Sequence, residues 1–254
     1  MTTRFSQLSG SRLDPAEKIL KAAIHSWNNP IEPNAAARRA SAFVTVSRQP
    51  GAISFSHRLA DRLNQEGQGD WSAWDRELVE RVSAEQGIAK DIIEMIPDRP
   101  HNWLDDLLHG FAHSQSPPDV LEIRAYKRVA MTIRALAAAG HAIIVGRGGT
   151  FITQAMPGAI HLRLIAPLEY RIKSTAEREG VSLRQAAERI EGLDQRRTEF
   201  YRRYWPGKTI APETFTMTLN SAELSLDELV ECVLPVIRLR EPIKRSLEGK
   251  NRLN

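Results

Sequence analysis

The chain has 254 residues, 42% apolar and 26% charged, which suits one large α/β domain with its own core and excludes a low-complexity polymer. Thirty-five Lys and Arg against 31 Asp and Glu leave a net charge of +4, which permits anionic ligands; with aromatic content at only 6%, nucleic-acid binding is disfavoured. A single cysteine, Cys232, excludes an internal disulfide framework, and neither an apolar run of about 20 residues nor the apolar core of a secretory signal is present, so a cytoplasmic protein without a membrane partner is expected.

In chain order, residues 1–40 read as a helical extension. Asp14 and Pro15 open a helix that carries Ile19, Ala23 and Trp27 on one face, a candidate surface for a homo-oligomer. "SAFVTVS" (41–47) alternates β-branched and small residues and predicts a buried strand. "SFSHRLADRLNQ" follows as a helix with Leu59 and Leu63 in phase, then a turn and short strand over 67–75, then a second helix closed by Gly87. Residues 88–118, broken by four prolines, form an excursion from the main sheet. The stretch 119–140 predicts a helix, with Ile123, Tyr126, Ala130, Ile133 and Ala137 on one face.

"HAIIVG" (141–146) and "AIHLRLIA" (159–166) predict buried strands, separated by the short helix "GTFITQAM". "PLEYRIKSTAEREG" predicts a helix. Capping boxes Ser182–Gln185 and Ser225–Glu228 open two more, the first long and arginine-rich. "TFTMTLN" (214–220) is the last expected strand, and Cys232 is placed mid-helix on a core face. The tail 241–254 is polar. Five strands separated by helices predict a parallel sheet with helical crossovers, and such sheets bind ligands beyond the carboxyl ends of their strands.

That rule singles out three places. "SRQPGAIS" joins a strand to a helix N-terminus, where free amides and the helix dipole favour an anion, Gly51 permits close approach, and Arg48 could supply charge. An ordinary turn is the competing reading. "IIVGRGGTF" leaves Arg147 prominent among Gly146, Gly148 and Gly149, poised for an anion or simply solvated. Asp75 and Arg76 end the second strand, where Asp75 could cap the next helix or accept a hydrogen bond from a substrate. Away from the strand ends, Arg196, Arg197, Arg202 and Arg203 form either a solvated basic face or a set that neutralises a transferred phosphoryl group. No His/Cys metal-ligand spacing and no G-x-S-x-G occurs, so no protein-held metal is expected.

The stretches "VTVSRQPGA", "WDRELVERVSAEQGI", "IIVGRGG", "IHLRLIAPLEYRI", "IEGLDQRRTEFYRRYW" and "TLNSAELSLDELVECV" together resemble the cytidylate kinase-like family of P-loop nucleoside monophosphate kinases, over roughly residues 42–240. The resemblance implies a three-layer P-loop NTPase-type fold over 41–240. Its five-stranded parallel sheet has helices on both faces, with 88–140 as a nucleotide-monophosphate-binding excursion and 178–212 as a lid-like helix. It implies phosphoryl transfer from ATP, with Mg²⁺, to a CMP- or dCMP-like acceptor. Ser47, Arg48, Gln49, Gly51, Ala52 and Ser54 would then contact ATP. Asp75, Arg76, Gly146, Arg147 and Gly148 would contact the acceptor, and Arg48, Arg147, Arg196 and Arg197 would act in catalysis. Relatives continue the loop with more glycines, whereas this chain has "GAISFSH", with bulky Ile53 and Phe55. That departure keeps a second reading open, a catalytically inactive relative that binds a nucleotide or docks a partner.

Overall fold

The computed structural model describes residues 41–75, Val79 and 120–241. The N-terminal helix, Arg76, the excursion over 88–118 and the polar tail after Glu241 lie outside the described residues, as does the helix expected to end at Gly87 apart from Val79. Along the chain come β1 (Phe43–Arg48), α1 (Ser56–Gln65), β2 (Ser72–Trp74), α2 (Val120–Ala139), β3 (Ala142–Val145), α3 (Gly149–Ile152), β4 (Ala159–Ile165), α4 (Leu168–Glu179), α5 (Leu183–Tyr204), β5 (Met217–Asn220) and α6 (Leu226–Arg240).

The five strands form one sheet in the order β2-β3-β1-β4-β5, and every neighbouring pair is parallel. This is the expected α/β architecture. β1 sits in the centre, with Val44 opposite Ile143 on one side and Ile160 on the other. Both faces are covered, as an all-parallel sheet requires. On one face Val44, Val46, Ile160, Leu162 and Leu164 pack against Leu59 and Leu63 of α1 and Leu229, Val233 and Ile237 of α6. On the other, Phe43 and Ile144 pack against Tyr126, Ile133 and Leu136 of α2, Ile152 of α3 and Trp205 at the end of α5. Each fully buried Leu, Ile or Phe contributes roughly 1.5–3 kcal/mol of transfer free energy.

Local signals account for several boundaries. Both capping boxes form, with Ser182 accepting from the Gln185 amide and Ser225 from the Glu228 amide. Gly180 ends α4 in the left-handed conformation. Two expectations are corrected. β5 begins at Met217 rather than 214, because Pro212–Thr214 close a 3-10 turn first. Cys232 is exposed, because the buried stripe of α6 runs through Leu229, Val230, Val233, Leu234 and Ile237 and leaves position 232 on the opposite side. Among the described residues no helix is long and apolar enough to cross a membrane.

A polar cluster lies on one face of the sheet. The Thr45 hydroxyl lies 2.7 Å from His161 Nδ1 and 3.2 Å from the Thr150 hydroxyl, and the His161 amide donates to Thr216 Oγ1 at 3.0 Å. His161 is buried, and burial, followed by the positive charge of Arg240, lowers its pKa to about 4. In the unfolded chain the imidazole takes its proton near pH 6.5. Its contribution to stability is therefore complete above that pH and is lost as the pH falls through the folded value. Urea midpoints taken from about pH 7.5 down to about pH 4.5 are expected to fall more steeply for the wild type than for His161→Gln, by on the order of 2–3 kcal/mol. Parallel profiles would show that His161 does not carry this dependence.

Candidate functional site

The β1–α1 turn is stitched to its surroundings before any ligand is considered. The Gln49 amide continues the ladder by donating to Leu164 O at 3.0 Å, and the Gln49 side-chain oxygen accepts from the Ala166 amide at 3.0 Å. The Ala52 amide closes the turn on Gln49 O. Gly51 has φ +82°, and a Cβ there would lie 2.8 Å from Arg171 of α4 and from Ile190 of α5. Only glycine fits. Arg171, itself buried, donates to Pro50 O at 3.3 Å and to the Asp194 carboxylate at 2.7 Å, tying the turn to both helices.

Arg48 turns back on the same loop, donating to Ala52 O at 2.6 Å, and burial, with the field of Arg178, lowers its pKa. The amides of Gly51, Ile53, Ser54 and Phe55 donate to no other backbone group among the described residues. Phe55 is the N-cap of α1 and offers no side-chain acceptor, so the first-turn amides of that helix are left uncapped. Its ring is fully buried in the core beneath the turn, so its bulk does not fill the loop mouth. Ile53 is half-buried and Ser54 is exposed.

The β3–α3 loop holds three consecutive residues in the left-handed region, Gly146 (φ +80°), Arg147 (φ +53°) and Gly148 (φ +72°). For arginine this conformation is strained by about 1 kcal/mol or more. It is held by a relay: Trp205 Nε1 donates to the Tyr126 hydroxyl at 3.0 Å, which donates to Arg147 O at 3.1 Å. A Cβ on Gly148 would press on both members of that relay, 2.7 Å from the hydroxyl and 2.9 Å from the indole nitrogen. Burial of Tyr126 pushes its hydroxyl pKa far above the ordinary phenol range, so it remains a donor. Phe151, Phe200, Tyr201 and Tyr204 surround the relay with edge-on and tilted ring contacts and dock the C-terminal half of α5 on α2 and α3.

The arginines of α5 part company. Arg197 donates to the Ser47 hydroxyl at 2.9 Å, bringing a guanidinium to the end of β1, with its Cζ 5.5 Å from the Tyr201 ring centre. Arg196 is exposed on the adjoining face. Arg203 pairs with Glu122 of α2, and Arg202 lines a groove of about 820 Å³ on the outer side of α4 and α5. That groove is walled by Leu168, Ile172, Glu188 and Glu191, and Arg171 and Asp194 line it too. Asp75 is exposed at the end of β2, where its carbonyl accepts from the Val79 amide.

The structure thus brings Ser47, Gly51, Ala52 and Arg197 to one rim, with the Gly146–Gly148 loop on the neighbouring strand. Three contributors escaped the sequence reading. Arg171 and Asp194 are linked across two helices. Arg163, on β4 opposite Ser47, shares its sheet face. The signal for Arg163 was present: His161 and Arg163 alternate with Ile160, Leu162 and Leu164, so one face of that strand had to be polar.

A model of the cytidylate kinase-like family matches residues 43–223, well over half of the sequence. The chain belongs to the cytidylate kinase-like family. Its fold is similar to that of an uncharacterized protein from Eubacterium ventriosum, with a TM-score of 0.57 and 18% identity, covering 78% of this chain and 99% of that one. A stretch of 101 residues, 40% of the chain, is 23% identical to the uronate isomerase of Corynebacterium glutamicum, of whose length it spans 20%. The five-stranded parallel sheet with helices around it is an α/β fold consistent with a P-loop-like kinase fold.

Tyr126→Phe removes the hinge of the relay, leaving a buried indole N–H without its acceptor. Chemical denaturation is expected to show a loss of about 1–3 kcal/mol. An unchanged midpoint would mean that the relay does not hold the Arg147 loop.

Proposed function

We propose that this cytidylate kinase-like protein transfers a phosphoryl group from ATP to a nucleoside monophosphate, with a CMP- or dCMP-like acceptor. The observation that carries the reading is the 2.9 Å contact from Arg197 to Ser47, which sets a guanidinium from the lid-like helix beside the uncapped turn. The free amides of Gly51, Ile53, Ser54 and Phe55 and the first turn of α1 would hold the donor phosphates, helped by the helix dipole. Ser47, Gln49 and Ala52 shape that turn, and Arg48 fixes its curvature through Ala52 O. Arg197 would neutralise charge on the group in transit, in a partly buried position where a fixed cation acts more strongly than in water. Arg147, held in its strained conformation, would meet the acceptor phosphate, with Gly146 and Gly148 clearing space. Asp75 and Arg76 would orient the acceptor, and Arg196 would engage from the adjoining face of the helix.

Among the described residues no group of three His, Cys, Asp or Glu could hold a metal ion. That donor set fits Mg²⁺ only as an ion carried by the nucleotide phosphates, the usual state for this hard, strongly hydrated cation. Mg²⁺ so carried would offset the negative charge of the phosphates.

One observation favours a second reading, a relative that binds nucleotide without turning it over. The loop has no lysine, and its arginine is engaged with Ala52 O rather than directed into the mouth.

Coupled ADP release with a panel of nucleoside monophosphates tests the choice. Turnover with a pyrimidine monophosphate is expected, and Arg197→Ala should lower kcat by about 100-fold or more while leaving the urea midpoint nearly unchanged. Calorimetric nucleotide binding with no turnover for any acceptor would favour the inactive relative. Absence of both would remove the nucleotide reading.

A further inference from the structure

Several arginines among the described residues have a carboxylate within reach. Arg171 pairs with Asp194, Arg203 with Glu122, Arg189 with Glu179, Arg58 with Asp227 and Arg62 with Glu66. Two on the same face of the sheet do not. Arg197 contacts Ser47 Oγ and the Tyr201 ring, both uncharged, and Arg163 stacks with its Cζ 5.3 Å from the centre of the Phe215 ring. Neither has an ion-pair partner among the described residues.

The two guanidiniums share one neighbourhood. Arg163 and Ser47 are direct partners across the β1–β4 ladder, so their side chains rise from the same face on strands about 4.8 Å apart. Arg197 comes down on Ser47 from the helix above. Burial lowers the pKa of Arg163, and the field of Arg197 lowers it further. Arg163 Nη1 is shut off from solvent with no hydrogen-bond partner. A half-buried like-charge pair with an unused N–H is unfavourable in isolation, because neither desolvation nor repulsion is offset. It becomes favourable when a multiply charged oxyanion sits between the two forks.

We infer that Arg163, Arg197 and Ser47 form a phosphate-binding subsite on the sheet face beneath α5, with Arg163 as a ligand-contacting residue of the site. Its identity as part of a nucleotide site rests on the phosphoryl-transfer reading. Its existence as an anion site does not. The chemistry suits one phosphate group: Arg163 offers a fork from β4, Arg197 a second from α5, and the Ser47 hydroxyl lies between them. Phe215 and Tyr201 flank the guanidiniums at cation–π distance. α5 is then more than a cover, since the anion joins it to the sheet.

The test uses inorganic phosphate on the full chain, without nucleotide, against chloride at equal ionic strength. Arg163→Met keeps the apolar stem over Phe215 and removes the charge, Arg163→Lys keeps the charge and removes the fork, and Arg58→Gln serves as a control for net charge. The wild type is expected to gain thermal stability in phosphate. Arg163→Met should melt higher than the wild type in chloride, because a repulsion is relieved, and should bind phosphate at least tenfold more weakly by calorimetry. Arg163→Lys should show no gain in chloride and a partial loss of phosphate binding, and Arg58→Gln should keep the full phosphate response. The inference is overturned if the wild type gains nothing in phosphate, if Arg163→Met responds to phosphate as the wild type does, or if it melts lower in chloride. These readouts need no turnover. A chain without kinase activity can therefore still support the subsite, and an active kinase with a normal phosphate response in Arg163→Met would refute it.

Discussion

The site depends on β1 being gripped from both sides at its carboxyl end. Gly146 donates its amide to Val46 O, and Gln49 donates its amide to Leu164 O. These two main-chain bonds carry the ladder out of the sheet and into the loops. They fix where the β1–α1 turn and the β3–α3 loop begin, side by side at one edge. Neither bond uses a side chain, so the frame is independent of the residues that line the rim. It is the central position of β1, between β3 and β4, that makes such a double grip possible.

From that frame the two faces of the sheet diverge. One is closed by aliphatic packing from α1 and α6 and has no chemistry to offer. The other is apolar only under α2 and α3. Toward β4 and β5 it turns polar, with Thr45, Ser47, His161 and Arg163 emerging in register. α5 bridges both regions. Its end is docked among aromatic rings, while its middle meets the hydroxyl and guanidinium of the polar strip. The aromatic end fixes the helix to the body of the protein, and the polar middle lies against the polar strip.

How much of this could be read in advance follows from the range of each interaction. The strands at Phe43, Ala142 and Ala159 were legible because period-two alternation and β-branching are local. So were the capping boxes at Ser182 and Ser225, each closed within four residues. The stripe on α2 came out in phase for the same reason. Cys232 was misplaced by reading a helix face without its neighbours' full pattern, and β5 was started early because Pro212 acts through a local turn that alternation does not register. In the site, the glycines and their positive φ were legible, but the direction of each arginine was not. Arg48 could point into the loop mouth or back to Ala52 O. Arg197 and not Arg196 reaches Ser47 because the roll of α5 is set by contacts of Phe200 and Trp205 with Tyr126, which span roughly 75 to 80 residues. Alternation places Arg163 on the polar face of β4, but its nearness to Arg197 comes only from the folded packing.

The Trp205–Tyr126–Arg147 relay has a mechanical corollary. Arg197 and Trp205 stand eight residues apart on one unbroken rod, a span of about 12 Å. The first touches the tip of the middle strand and the second, through a phenol, the carbonyl at the tip of its neighbour. Any rocking of that rod must pull on both tips together. Two places that sequence separates by a hundred residues are thus geared to one lever, so that opening one while the other stays seated would require the rod itself to bend.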